Sequence, residues 1–302
     1  MSYRQDHISN FQIAANARLD NNLNTLSEQE IISLFQNILE NGVHGLCFSL
    51  YEEGQKPGDI ISESQIERRL QILKPYTNWV RSFSTTEGNE LIPKLAKHHG
   101  LKTLAGAWLG NEKEKNEKEL ENLIQLCRDG FVDIAAVGNE VLYRNDLSLE
   151  ELLEQIRYFK SMVPDITVGY VDAYYEFSRH PELVDVCDVV LTNYYPFWEG
   201  THFNNSLGHL NYMHQQTVNV SKGKKIIITE TGWPSQGENT KEAAPGTINA
   251  LKYFINAQTW AIKNGIEMFY FSSFDESWKV GAEGEVGAYW GLWDKNEKLK
   301  FV

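Results

Sequence analysis

Eight short apolar runs punctuate the chain, and the stretches between them follow a different period. The runs are "HGLCFSLY" (44–51), "NWVRSFS" (78–84), "LKTLAGAWLG" (101–110), "IAAVGNE" (134–140), "ITVGYVDAYYEF" (166–177), "DVVLTNYYPFW" (188–198), "KKIIITETGW" (224–233) and "IEMFYFSSFDE" (266–276). Near-continuous apolar character over such lengths predicts strands buried on both faces. The intervening stretches read as helices. Leu149, Leu152, Leu153 and Ile156 recur at helical spacing, and Ser148 with Glu151 forms a capping box in front of them. Leu120, Leu123, Ile124 and Cys127 share one face of a second helix, which stops at Gly130. The mixed-charge run 111–122 leads into it as a solvated face. The stretch 245–265 opens with Pro and closes with Gly, the expected helix asymmetry. Only 178–187, between runs five and six, is a weak helix.

Eight strands alternating with helices predict an α/β protein, a single (β/α)8 TIM barrel. A doubly wound open sheet is the alternative, but no Gly-rich phosphate fingerprint follows the first strand. The chain ends soon after the eighth run, leaving little for an eighth helix. An extra helix precedes the first strand instead. Its Ile31, Leu34, Phe35, Ile38 and Leu39 form a stripe that is expected to pack at the seam between the first and last strands.

Composition narrows the class. The chain has 302 residues, 42% of them hydrophobic, enough for one large core. One catalytic domain, 1–302, is expected, with 1–44 as an N-terminal extension and helix packed on the barrel, and the chain is expected to act as a monomer. No apolar run approaches the ~18 residues of a transmembrane helix. Residues 1–20 lack an apolar signal core, which predicts a cytoplasmic chain, or a secreted or periplasmic one whose signal has been trimmed. Cys47, Cys127 and Cys187 are too few and scattered for a disulfide framework or a metal site. A net charge of −13 argues against nucleic acid and anionic membranes as partners. The eight His contain no paired ligand spacing, and neither a metal nor an organic cofactor is implied.

The chemistry lies at the ends of the runs. In such a barrel the active site forms at the C-terminal ends of the strands. Glu140 ends the fourth run and Glu230 the seventh, positions that face each other across the mouth. Cleavage of an acetal needs such a pair, one carboxyl to protonate the leaving oxygen and one to capture the oxocarbenium-like carbon. Aromatics gather at the same ends: Tyr170, Tyr174 and Tyr175 on the fifth run, and Tyr194, Tyr195, Phe197 and Trp198 on the sixth. Trp233 follows the seventh, and Trp278, Trp290 and Trp293 follow the eighth. Aromatic faces stack on sugar rings.

"IIITETGWPSQG" (226–237) resembles the nucleophile signature of glycoside hydrolase family 17, the β-1,3-glucanases. "VGNE", "VRSFS", "NYYPFW" and "FDESWK" resemble its acid/base strand, second strand, sixth strand and FDEN-x-K stretch. The resemblance runs from Gly45 to Trp293, and "YEEGQKPGDIISESQIERRLQIL" looks like bacterial members in particular. "EGEVGAYWGLW" departs from the plant-type pattern, so Glu285 is a weak counterpart of the family's last cleft Glu.

The resemblance implies Glu230 as nucleophile, kept ionised by hydrogen bonds and by Arg81, and Glu140 as general acid and then base. It implies Asn139 on the sugar 2-hydroxyl and holding the nucleophile's geometry, Tyr195 donating to Glu230 or to the ring-oxygen region, and Glu276 with Lys279 as a polar brace behind the acid. Tyr194, Trp198, Trp233 and Trp278 are expected along the substrate cleft. Gly232 and Pro234 are expected to shape the turn after the nucleophile. The implied partner is β-1,3-glucan or laminari-oligosaccharides. Hydrolysis, glucanosyl transfer through the same intermediate, and a silent carbohydrate-binding barrel are the three readings; the presence of both Glu argues against the last. Endo or exo action stays open.

Overall fold

The computed structural model describes residues 23–302. The stretch 1–20, read above for a signal, and the first half of the expected 1–44 extension lie outside the described residues. The strands are β1 (Val43–Cys47), β2 (Thr77–Arg81), β3 (Lys102–Ala107), β4 (Ile134–Asn139), β5 (Thr167–Ala173), β6 (Val189–Asn193), β7 (Ile226–Thr231) and β8 (Glu267–Tyr270). All neighbours pair in parallel, and Gly45 of β1 meets Phe269 of β8 to close the barrel in sequence order. Each predicted run matches one strand, with β1 and β2 beginning one residue earlier than their runs. The fifth run was read too long: its last residues, from Tyr174 on, coil into a short helix.

The helices are α1 (Glu28–Glu40), α2 (Glu63–Leu73), α3 (Leu91–His98), α4 (Lys113–Arg128), α5 (Val141–Arg144), α6 (Leu149–Met162), α7 (Tyr174–Arg179), α8 (Pro181–Val186), α9 (Ser206–Val220), α10 (Thr247–Asn264) and α11 (Val280–Glu283). The Ser148–Glu151 capping box opens α6, and an equivalent pair, Ser27 and Glu30, opens α1. Gly265 closes α10 in the left-handed conformation at φ 64°.

No full helix follows β8, and α1 covers that part of the barrel wall. Its Phe35 packs edge-on against Phe254 of α10 at 4.9 Å and against Phe301 of the C-terminal tail at 5.2 Å. Phe254 in turn meets Tyr270 of β8 at 5.0 Å. Ile31, Phe35 and Leu39 are buried, whereas Leu34, expected in the same stripe, turns outward. The three cysteines are buried and unpaired.

Candidate active site

Three even-numbered strands end on polar residues: β2 on Arg81, β4 on Asn139 and β6 on Asn193. Side chains inside such a barrel stack in layers drawn from alternate strands, and these three meet at the mouth. Arg81 is fully buried. Its Nη1 donates to Glu230 Oε1 at 2.7 Å and its Nη2 to Asn139 Oδ1 at 2.7 Å, with the guanidinium 4.1 Å above the Phe83 ring. Burial would pull this guanidinium down, but the Glu230 and Cys47 beside it hold it above its ordinary value. Because Asn139 Oδ1 is taken by Arg81, its amide nitrogen is turned away from the guanidinium.

Glu230 receives three donors. Arg81 and Asn193 Nδ2, the latter at 3.1 Å, reach Oε1, and the Tyr195 hydroxyl donates to Oε2 at 2.7 Å. Hydrogens directed at both oxygens are what an ionised, acceptor-only carboxylate accommodates. The Asn193 amide also donates to Glu140 Oε1 at 2.9 Å, while its Oδ1 accepts from the Thr229 hydroxyl at 2.7 Å. One nitrogen thus touches both carboxylates. Its contacts of 2.9 and 3.1 Å limit the separation of the two Oε1 atoms to about 6 Å, shorter than the roughly 6.5–9.5 Å between the carboxyl groups of inverting glycosidases.

Glu140 sits just past β4 in the left-handed conformation, φ 51° and ψ 34°, after Gly138 at φ 90°. A non-glycine residue there stores about 1–3 kcal/mol, a cost commonly found at functional sites. Burial first, and the negative charge of Glu230 second, push its carboxyl up to about 7, against the opposing pull of Asn193, Arg144 and Arg81. Oε2 is buried and has no hydrogen-bond partner among the described residues. Behind it, Asp172 on β5 is pushed well above its ordinary range by burial and then by Glu140, and it is bonded to the Tyr170 hydroxyl.

A cavity of about 400 Å³ opens over these groups. Among its walls are Tyr51, Tyr175, Trp198, Phe271 and Trp278. Of the predicted site residues, Asn139, Glu140, Tyr195, Trp198, Glu230, Glu276, Trp278 and Lys279 line it, and Arg81 is bonded to two of them, Glu230 and Asn139. Tyr194 and Trp233 do not line it. Tyr194 points outward from β6, fully buried, and donates to Thr217 on α9 at 2.8 Å. Trp233 is packed among Phe197, Phe203 and Tyr253 with its ring nitrogen on the Ala244 carbonyl at 2.9 Å. Residues adjacent along an extended stretch alternate faces, so Tyr194 must diverge from Tyr195. Gly232 is required by close approach rather than by a special φ, since a Cβ there would lie 2.1 Å from the Phe271 carbonyl oxygen.

Glu276 and Lys279 form a 2.6 Å ion pair, and Glu276 also accepts from the Tyr51 N–H at 2.9 Å. They stand on the nucleophile's side of the mouth, not behind the acid as expected. Burial would lower the Lys279 ammonium, but Glu276, then Glu283, and Glu230 beyond them, raise it. Glu285 is exposed; Glu283, two residues earlier, lines the cavity and accepts from Trp290 Nε1 at 3.1 Å. The sequence reading gave no role to Asn193, Asp172 or Arg144. The shared end layer of the even strands was the available signal for Asn193.

The BtgE/BtgC glycoside hydrolase domain matches residues 45–291. A glucan 1,3-beta-glucosidase of Saccharomyces cerevisiae is 28% identical over 273 residues, covering 81% of this chain and 86% of that protein. One from Schizosaccharomyces pombe is 27% identical over 320 residues, covering 97% of each. The glycoside hydrolase family 17 beta-1,3-glucanosyltransferase of Rhizomucor miehei superposes with a TM-score of 0.77 at 28% identity, over 86% of this chain and 96% of that one. An active-site mutant of that enzyme, solved in complex with laminaritriose, aligns equally well. The chain is a glycoside hydrolase of the BtgE/BtgC domain family, within glycoside hydrolase family 17.

Proposed function

We propose that this chain cleaves β-1,3-glucan with retention, by double displacement between Glu140 and Glu230. The observation that carries the reading is the single Asn193 amide bonded to both carboxylates, which keeps them too close for a water to be held between them for inversion. Glu140 Oε1 is occupied by Asn193, so the proton of the neutral acid belongs on Oε2. In the first step that proton passes to the glycosidic oxygen as the C1–O bond breaks, and the Glu230 carboxylate bonds to C1. Esterified Glu230 carries no charge, so the Coulombic part of the rise at Glu140 disappears and the group becomes fit to act as base. In the second step Glu140 takes a proton from water as the water oxygen displaces Glu230 from C1. Asn139 offers its amide to the 2-hydroxyl, and Arg81 and Tyr195 hold Glu230 in place. Trp198 and Trp278 offer faces to the sugar rings.

A second reading replaces water with a sugar hydroxyl. The structural similarity to the Rhizomucor miehei beta-1,3-glucanosyltransferase favours it. Laminari- and cello-oligosaccharides incubated at equal concentration test both. Laminari-oligosaccharides should react, the first-formed anomer seen by NMR being β, and cello-oligosaccharides should stay intact, because a scissile oxygen displaced by ~1 Å costs about a hundredfold in rate. An α product first would overturn retention. Comparable rates on the two series would overturn the linkage. Products longer than the substrate would assign transfer.

A further inference from the structure

Arg144, the last residue of α5, stands beside Glu140 and takes no part in the steps above. Its N–H donates to the Glu140 carbonyl at 2.9 Å. Its side chain reaches in three more directions. Nη1 donates to the Asn139 carbonyl, Nη2 to the Leu109 carbonyl at 2.9 Å, and Nε to Asp146 Oδ2 at 2.6 Å. The guanidinium lies 4.3 Å above the Trp108 ring. Leu109 and Trp108 follow β3, whereas Asn139 ends β4. One planar fork therefore ties the ends of two neighbouring strands together and grips the peptide that enters the left-handed residue Glu140. A lysine offers neither the fork nor the stacking plane.

We propose that Arg144 is a positioning residue: clamped by Trp108 and Asp146, it holds the left-handed turn at Glu140 and so aims the acid carboxyl at the scissile oxygen. This rests on the retaining reading of the site. The charge adds a second effect. The titratable and charged groups that face Glu140 are Glu230 on β7, Arg81 on β2, Asp172 and its partner Tyr170 on β5, Tyr175 on α7 and Tyr195 after β6. Of these groups Arg81 is the only cation, and Arg81 is already engaged by Glu230. Removing the Arg144 cation disfavours the Glu140 carboxylate, so its titration moves to higher pH.

The test compares the wild type with R144M and R144K. The Glu140 titration is followed in the free enzyme by NMR of carboxyl-labelled Glu, assigned through E140Q. kcat/KM, which reports the first step and not the later one in which Glu140 acts as base, is measured on a laminari-oligosaccharide and on a 2,4-dinitrophenyl glycoside of the same sugar, whose leaving group needs no proton. R144M should raise the Glu140 titration and lose about a hundredfold on the oligosaccharide, the cost of ~1 Å misplacement. It should lose less than about tenfold on the dinitrophenyl substrate, because the step that needs the acid is bypassed. R144K should titrate like the wild type while showing the same contrast between substrates. An unmoved titration in R144M with equal losses on the two substrates would reduce Arg144 to ordinary packing. Should R144M not fold, R144K decides: a loss confined to the oligosaccharide supports the proposal, and equal losses overturn it. A wild type that cleaves neither substrate overturns the retaining reading and this proposal with it, whereas a wild type active on both with equal losses in the variants overturns the proposal alone.

Discussion

Replacing Glu140 with Gln should abolish turnover and, above neutral pH, make the protein more stable. The Glu140 carboxyl is pushed from its ordinary 4.5 up to about 7, by burial first and by the charge of Glu230 second. A carboxyl whose folded value is raised favours the protonated form in the folded state. The folded protein is therefore penalised for carrying the charge, and the penalty grows as pH rises from about 4.5 to about 7 and stays constant above. At roughly 1.4 kcal/mol per pH unit, the gap from 4.5 to about 7 comes to about 3 kcal/mol. Gln keeps an oxygen to accept from Asn193 and puts its NH₂ where Oε2 has no hydrogen-bond partner among the described residues, so it removes the charge with little change of shape. Urea unfolding of both proteins at pH ~4.5 and ~8.5 measures the effect, from midpoint and slope. The curves should nearly coincide at the lower pH and separate by about 3 kcal/mol in favour of Gln at the higher. Equal separation at both, or a wild type that is the more stable at the higher pH, would refute the argument that burial and Glu230 hold Glu140 protonated.

Glu230→Gln should lose turnover yet bind oligosaccharide, and NMR should show Glu140 titrating at lower pH than in the wild type, because the charge that helps raise it is gone. Asn193→Ala removes a donor to the Glu230 carboxylate and to Glu140, a bond to a charged group being worth about 1.5–3 kcal/mol; kcat/KM should fall by roughly ten- to a hundredfold, and its basic limb should move to higher pH. Trp198→Ala should weaken laminari-oligosaccharide binding in calorimetry by ~1–3 kcal/mol. Trp233→Ala should leave that binding nearly intact and cost about 3–5 kcal/mol of stability on unfolding, the signature of a core ring rather than a cleft ring.

The alternation of strand and helix was legible in the chain because both periods are local: eight apolar runs, and stripes such as Leu149–Leu152–Leu153–Ile156 behind their own caps. Glu140 and Glu230 were legible because a charge that closes an otherwise apolar run has no reason to be there unless it faces the mouth of the barrel. The family signature around Glu230 then supplied the chemistry. What each side chain beside those carboxylates would face was not legible. Pairing register slips at the strand ends that build the site: between Ala136 and Asn139 on β4, Thr192 and Asn193 on β6, and Ile228 and Thr231 on β7. A slip of one residue exchanges the two faces of a strand, so a sequence that names Tyr194, Tyr195, Trp198 and Trp233 does not say which of them reach the cleft. Barrel closure settled it, sending Tyr195 and Trp198 inward and Tyr194 and Trp233 into the packing outside the barrel. Closure also brought Asn193 between two carboxylates that lie 53 and 37 residues from it in the chain. That proximity is a property of the closed ring, and no local pattern encodes it.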